Sequence, residues 1–169
     1  MLKTLFSVAT AMVALAVPAP AAAAALGPDA ESCRAGAANP AVLVNVTGFK
    51  NRVGRLRVQL YGGDPVDFLA KGKKLRRIDL PVTSSGPMRV CVAIPQSGRY
   101  AIAVRHDADG NGKSGWNDGG GFSGNPKINL ISPKPKYAQV AINVGNAVKP
   151  LDVVLNYRRG LSVGPVASN

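Results

Sequence analysis

The 169-residue sequence has little of what most catalytic and nucleic-acid-binding sites are built from. Aromatic residues make up only 5% of it and do not alternate with basic residues, as a base-stacking surface would require, so we expect no sequence-specific nucleic-acid partner. One histidine and two cysteines without a CxxC pair argue against zinc. The GxSxG element of serine hydrolases is missing. The single glutamate, Glu31, leaves aspartate to supply any paired carboxylates.

Long apolar runs are also missing, apart from one at the N-terminus. Lys3 precedes an apolar stretch over residues 5–17, and a small-residue region over 18–25 follows with several A-x-A matches. This order is typical of a secretory signal peptide, and the apolar stretch is too short to span a bilayer stably. We therefore expect residues 1–25 to be removed and the protein to be periplasmic or secreted, with no transmembrane segment after processing. A retained anchor is the alternative.

Acidic residues are scarce as a class. The sequence has 21 Lys and Arg against nine Asp and Glu, a net charge of +12, and loss of Lys3 with the signal peptide leaves 20 − 9 = +11. Such a charge predicts solubility and attraction to anionic surfaces, but no particular fold. The densest cluster, KGKKLRR at 71–77, is typical of a solvated loop and edge strand. The alternative is a patch that binds anionic lipid or polysaccharide of the cell envelope, with exposed charges that salt screens.

Cysteine is the one scarce residue type that still predicts a structural feature. Cys33 and Cys91 remain after processing, and in an oxidising compartment two cysteines indicate one structural disulfide. Cys91 lies on the face of its strand opposite to the apolar residues, so the bond would fix the lead-in segment across the outside of a sheet. A buried Cys91 with an exposed Cys33 is the alternative.

Between residues 41 and 158 the pattern is one of short strands. Apolar residues alternate with others at Val42, Val44 and Val46, and the same period-2 pattern recurs along the chain, with turn residues between the runs. About seven strands and no long helical pattern predict an all-β fold, a single antiparallel β-sandwich that is Ig-like or transthyretin-like. An irregular lead-in at 26–40 precedes it, and a flexible tail at 159–169 follows it.

The local pattern also predicts one helical turn and three of the strands. Asp64 and Pro65 form a cap and a first-turn proline, which predicts one helical turn over residues 66–70. Apolar alternation predicts a weak strand at 128–131 and clearer strands at 138–144 and 151–157.

One long glycine-rich loop, Arg105 to Pro126, interrupts this pattern, and loops of such length in a compact domain are usually functional or disordered. It begins with D-x-D-x-N-G, the spacing that brings alternate side chains onto one calcium ion. The predicted ligands are the side chains of Asp107, Asp109, Asn111 and Asp118, with the backbone carbonyl of Lys113. Asp118 stands where the calcium pattern has Glu. The alternative is a self-capped turn, in which these side chains bond to nearby backbone amides.

The same loop contains the only histidine and the only tryptophan. His106 and Asp107 are adjacent on a strand and therefore point to opposite faces, so they cannot easily act together as a base and its orienting partner. We interpret His106 as a structural hydrogen-bonding residue at the strand end. Trp116 is either a lid on the loop or a residue on which a ligand stacks.

The segment IPQSGRYAIAVRHDADGNGK, followed by GFSGNP, resembles a family of exported bacterial proteins, domain of unknown function 2141 (DUF2141). Asp109 stands where members usually have Asn, and Ser114 and Gly115 stand where an acidic residue often follows the lysine. The resemblance implies that nearly the whole mature chain shares the fold of this family. It implies no activity, because none is assigned to the family. The hairpin at 95–100 also resembles transthyretin-like sandwich modules. The matching positions are Tyr100, Ile102, Val104, His106, Asp107, Asp109, Asn111, Gly112, Lys113, Gly121, Phe122 and Ser123.

These observations lead to three functional hypotheses. The first is an exported, non-catalytic sandwich whose loop binds calcium and presents a recognition surface. The second is a hydrolase of envelope polymers that uses His106 with Asp107 or Asp118. The third is a purely structural envelope protein.

The export hypothesis predicts where the mature protein begins. Small residues occupy the positions required for cleavage only between about Ala21 and Leu26, so the mature N-terminus should lie within that stretch. Mass spectrometry of protein from an exporting host measures this directly. A mature chain that still contains Lys3 would contradict the prediction.

Overall fold

The computed structural model describes residues 24–166, so most of the expected signal peptide lies outside the described residues. Within that range no helix is long and apolar enough to cross a membrane. The chain is mainly strands, with one helical turn α1 at Tyr137–Val140 and two 3₁₀ turns at Ala30–Cys33 and Pro65–Asp67. The strands are β1 Ala41–Thr47, β2 Arg55–Tyr61, β3 Arg76–Pro81, β4 Met88–Ala93, β5 Gly98–Asp107, β6 Gly119–Phe122, β7 Ala141–Val144, β8 Val148–Val154, β9 Asn156–Arg159 and β10 Ser162–Pro165.

The strands form two sheets. The first has the order β4-β1-β8, and the second has the order β10-β9-β6-β5-β2-β3, with β7 also paired to β5. The all-β sandwich prediction is confirmed. The described residues form ten strands, however, where about seven were expected, and β1 pairs with β8 in parallel. A parallel pair needs a long crossover rather than a hairpin, and five strands of the second sheet, β2, β3, β5, β6 and β7, lie between these two strands in the sequence.

The core lies between the two sheets and follows the predicted alternation. Residues on one face of β1, such as Val44, and on one face of β5, such as Ile102, are fully buried and belong to a single apolar cluster. The residues between them on each strand face outward. Both sheets contribute members of the cluster: Val42, Val44, Val46, Met88, Val90, Val92 and Val153 from the first, and Leu56, Val58, Leu60, Ile78, Tyr100, Ile102, Val104, Val144 and Tyr157 from the second. Ile94 and Leu155, each just after a strand of the first sheet, complete it.

A second, smaller apolar cluster covers part of the outer face of the second sheet. Ala101 and Ala103, which point outward from β5, are buried under Tyr61, Tyr137 and Val140. The middle of β5, residues 100–104, is therefore buried on both faces, as strands in the middle of layered folds are. Period-2 alternation assigns these alanines to a solvent face, so sequence reasoning missed the cluster.

The disulfide prediction is confirmed, because Cys33 and Cys91 are bonded with their Cα atoms 5.8 Å apart. The lead-in lies against the outer edge of β4, where Leu26 N donates to Arg89 O at 2.7 Å and Cys91 N donates to Leu26 O at 3.1 Å. Asp29 is also buried there and accepts from Ala93 N at 3.1 Å. The lead-in thus protects a sheet edge that would otherwise present unpaired backbone groups.

One expected strand is wrong, and a second is shorter than expected. Residues 128–131 form no strand, because Asn129 Oδ1 accepts from Ile131 N at 2.9 Å and from Ser132 N at 2.7 Å, which closes a local turn. The strand expected at 138–144 begins only at Ala141. Before it, the Gln139 side chain accepts from Lys136 N at 2.8 Å and starts the helical turn α1.

The C-terminal expectations also change. The run at 151–157 is two strands, since the chain passes from the first sheet to the second at Leu155, whose N donates to Thr47 O at 3.0 Å. Beyond it, the segment expected as a tail from 159 pairs back onto β9 as β10. Gly160, with φ +58°, supplies the turn between them. Residues 167–169 lie outside the described range.

The helical turn expected near residue 66 is confirmed in a shorter form, as a 3₁₀ turn over Pro65–Asp67. Asp64 caps it, with Oδ1 accepting from Val66 N at 3.0 Å.

The disulfide should contribute measurably to stability. It closes a separation of 58 residues, for which the chain-entropy account gives about 4 kcal/mol as an upper figure. We expect a Cys33→Ser, Cys91→Ser double variant to lose up to that amount of unfolding free energy in a denaturant titration. Equal unfolding curves for the variant and the oxidised protein would contradict the prediction.

Candidate cation site and adjoining groove

The candidate site is the loop that joins β5 to β6. These strands pair in antiparallel fashion with His106 opposite Gly119, so Asp107 and Asp118 stand next to each other as the two ends of the loop. Asp107, Asp109 and Asp118 each place one carboxylate oxygen within 4.8 Å of the others. The hairpin register therefore brings together the three acidic side chains that the sequence predicted as ligands.

Backbone amides of the loop hold two of the carboxylates in place. Asp118 accepts from Ala108 N at 3.1 Å through Oδ1 and from Gly115 N at 2.9 Å through Oδ2. Asp109 Oδ1 accepts from Asn111 N at 3.1 Å. These are the bonds of a self-capped turn.

The other two predicted ligands lie in the same turn. Asn111 lies beside Asp109, to whose Oδ2 its amide nitrogen donates at 2.6 Å. Lys113 N donates to Asn111 Oδ1 at 2.7 Å. The carbonyl of Lys113 as a ligand stays a prediction.

Asp107 differs from the other two carboxylates because it is buried, with 2% of its surface exposed. Its Oδ2 accepts from Gly112 N at 2.9 Å and lies 3.2 Å from an Arg105 nitrogen. Its Oδ1 accepts no hydrogen bond from the residues that the structure describes. Burial alone would raise the pKa of Asp107, but the Gly112 amide and the Arg105 charge outweigh it and lower the pKa, so the group is ionised at neutral pH.

Arg105 is a residue of this site that sequence reasoning missed. Besides Asp107, its guanidinium reaches Gly112 O at 2.9 Å and Ser114 Oγ at 3.0 Å, so it braces the turn from the β5 side. The sequence feature that could have indicated Arg105 is its position, two residues before Asp107 and therefore on the same face of the strand.

His106 lies on the opposite face, inside the core, and is fully buried. Its Nε2 is 2.8 Å from Val53 O, which requires the hydrogen on Nε2, so Nδ1 accepts from Tyr157 Oη at 2.6 Å. Both ring nitrogens are thus occupied in a structural role, away from Asp107. Gly119 makes room for this pair, since a Cβ there would lie 2.5 Å from the Tyr157 ring.

The GFSGNP element, Gly121 to Pro126, also has a structural role. Ser123 is fully buried, accepts from Ile102 N at 3.0 Å and donates to Val140 O. Asn125 extends the first sheet by side-chain bonds, donating to Asp152 O at 2.9 Å and accepting from Val154 N at 2.8 Å. The element fastens β6 to the other sheet and contributes no oxygen to the acidic cluster.

Trp116 does not close over the loop as a lid, because 72% of its surface is exposed. The Arg158 guanidinium lies 3.2 Å from the centre of its ring. Together they border a groove of about 380 Å³ on the outer face of the second sheet, which Asp118 also lines. Trp116, the last of the predicted loop residues, therefore belongs to a surface that adjoins the acidic cluster.

The basic run at 71–77 is largely paired. Lys73 Nζ lies 3.1 Å from Asp67, Arg76 binds Asp29, and Arg77 Nε lies 2.5 Å from Asp79. Its last two residues lie in β3, an end strand of the second sheet. These contacts match the interpretation of the run as a solvated loop and edge strand, and an anionic partner at this run stays a prediction.

The fold and the site together define a class of protein, a mainly antiparallel sandwich with an aspartate-rich turn between two central strands. The sequence profile of DUF2141, described as "Uncharacterized protein conserved in bacteria", matches residues 44–151. The chain belongs to this family, which confirms the resemblance. No curated protein and no solved structure matches the chain, and the likeness to transthyretin-like modules stays a prediction.

The buried His106–Tyr157 pair leads to a pH prediction. Burial, the main cause, raises the pKa of Tyr157 from 10.0 to about 12, although the Lys50 amide and Arg52 act in the opposite direction. Because the folded pKa is raised, this contribution to stability is complete below pH 10 and is lost as pH rises through about 12.

Ultraviolet titration of the wild type and of Tyr157→Phe isolates this group by difference, with circular dichroism reporting the fold. The missing amplitude should lie near pH 12. Amplitude missing near the ordinary value of 10.0 would contradict burial and bonding of this hydroxyl.

Proposed function

We propose that this chain is an exported, non-catalytic β-sandwich protein whose Asp107–Asp118 loop binds a calcium ion and presents a recognition surface at the cell envelope. The observation that supports it best is the buried carboxylate of Asp107, whose Oδ1 has no hydrogen-bond donor among the described residues. A buried, ionised oxygen without a partner is costly, and a bound cation would satisfy it.

The geometry of the cluster fits one shared ion. Calcium binds oxygen at roughly 2.3–2.6 Å, so two ligands on opposite sides of one ion are about 5 Å apart at most. The three carboxylate atoms lie within 4.8 Å of one another, inside that limit. Each carboxylate oxygen keeps a lone pair after accepting one amide hydrogen bond, so the self-capped turn and the ion are compatible.

The charges of the loop favour a cation as well. Three carboxylates this close repel one another, and Arg105 neutralises only one side of Asp107. The turn passes through Gly110 and Gly112 at φ +70° and +79°, with no atom within 4 Å of either added Cβ. Such an open turn does not impose the strict octahedron that magnesium demands, so calcium is the expected ion.

The hydrolase hypothesis gains no support from this arrangement. The His106 ring is fully buried and both of its nitrogens are bonded, so it presents no base toward Asp107 or Asp118. The purely structural hypothesis differs from the proposal in one respect, since it requires no ligand at the loop.

A thermal melt with calcium against chelator tests the proposal. Affinity should resemble that of extracellular modules, roughly 10⁻⁴ to 10⁻³ M. A hundredfold excess over the dissociation constant then stabilises the folded state by about 2.7 kcal/mol, a rise in Tm of roughly 5 to 10 °C. Magnesium should raise the Tm less.

Two variants make the melt specific. Asp109→Ala removes an exposed ligand with little effect on packing, and it should abolish most of the calcium-dependent rise, whereas asparagine at this position would keep a ligand oxygen. Asp152→Ala removes an exposed carboxylate that, among the described residues, bonds to Asn45, and it should keep the full rise. Identical wild-type melts in calcium and in chelator would contradict the proposal, as would an equal loss in both variants.

A further inference from the structure

The groove beside Trp116 is a built feature of the second sheet. It holds about 380 Å³, and an adjacent depression of about 300 Å³ continues it across the sheet. The two share the residues Ser114, Gly115, Asp118, Gly120 and Phe122. Each is within the size range of ligand-binding clefts, so the surface is large enough for more than one small ring.

The glycines of β6 create the floor of this groove. Gly119 and Gly121 face the core, where a Cβ would meet Tyr157 at 2.5 Å or Val153 at 2.6 Å. Gly120 faces outward, and no atom lies within 4 Å of an added Cβ there. A side chain at that position would fill the groove. The glycine run therefore serves close packing on one face and an open floor on the other.

The walls of the groove are aromatic and basic. Trp116 and Phe122 line it, and the Trp116 ring stays 72% exposed beside the Arg158 guanidinium. Arg158 and Lys134 supply positive charge, and neither has a carboxylate partner within residues 24–166. Asp118 is the only carboxylate on either lining, and both of its oxygens already accept loop amides.

From this combination we infer that the groove binds an acidic glycan, a chain of pyranose rings that bear carboxylates. A pyranose ring presents a flat face of C–H groups that packs on an indole ring, whose faces are electron-rich. The guanidinium of Arg158 binds a carboxylate in the planar, two-point fashion that lysine cannot provide. The inference rests on the groove alone and does not require an ion at the acidic cluster.

The same features disfavour the other anionic partners. Single-stranded nucleic acid needs several aromatic rings for successive bases, and Trp116 is the only tryptophan of the chain. A lipid surface is a real competitor, because Ile131 and Leu161 are 96% and 91% exposed. A bilayer, however, does not account for a concave floor or for an arginine stacked on the exposed ring, so vesicles are included in the test.

Because Trp116 is the only tryptophan of the sequence, its fluorescence reports on binding in the groove. Oligogalacturonate titrated into the full mature protein, with chelator present because uronates bind calcium themselves, should shift the Trp116 emission in a saturable way. Neutral maltohexaose and phosphatidylglycerol vesicles should give no shift. Arg158→Gln should weaken oligogalacturonate binding about tenfold, the loss of one charge-assisted contact.

Matched variants separate the groove from general charge attraction. Lys71→Gln removes one exposed charge outside the groove and should bind like the wild type. Trp116→Ala, followed by calorimetry because it lacks the reporter, should lose about tenfold or more, and a melting temperature close to that of the wild type should show that it is folded.

Three results would overturn the inference: no saturable emission shift with oligogalacturonate, an equal response to the neutral oligosaccharide, or a response to vesicles alone. Equal losses in Lys71→Gln and Arg158→Gln would also overturn it. Because the titration contains chelator, its outcome is independent of the calcium melt, and either proposal can fail without the other.

Discussion

The bond between His106 and Tyr157 is the interaction on which the site depends. It joins the end of β5 to β9 within the core, and it exists because Gly119 leaves the space that the Tyr157 ring fills. The same glycine pairs with His106 across the hairpin. This contact therefore fixes both ends of the loop, and with them the distance between Asp107 and Asp118. Removing the ring of His106, the hydroxyl of Tyr157 or the glycine at 119 would disturb the acidic cluster, although none of these groups belongs to it.

The HD-x-D-x-NG and GFSGNP elements thus contain two kinds of residue. His106, Ser123 and Asn125 point into the fold or across to the other sheet, and their polar atoms are bonded there. Asp107 and Asp109 belong to the open turn, where charge accumulates beside a basic, aromatic groove. One hairpin therefore carries a stabilising face and the face of the proposed binding site, which follows from the alternation of side chains along a strand.

The sequence was sufficient for the all-β class and the place of the acidic loop, because period-2 alternation and ligand spacing are local signals. It was sufficient for the disulfide because two cysteines allow only one pairing, although 58 residues separate them. The sequence was insufficient where contacts between residues far apart in the chain determine the structure. The parallel β1–β8 pair and the change of sheet at Leu155 depend on partners far away in the chain. Arg158 joins Trp116 only after β9 pairs with β6, so neither residue alone indicates a groove. Asn129 and Gln139 locally override apolar alternation by side-chain bonds to the backbone.

The central claim is that the acidic loop holds a cation next to the groove, and terbium luminescence tests it most directly. Terbium takes the same oxygen ligands as calcium, and an excited indole transfers energy to it only over a short distance. Trp116, the only tryptophan, stands two residues from Asp118. We predict sensitised emission that saturates at one terbium per chain, falls when calcium is added and is lost in Asp109→Ala. Emission that never saturates, or that persists unchanged in Asp109→Ala, would contradict the account.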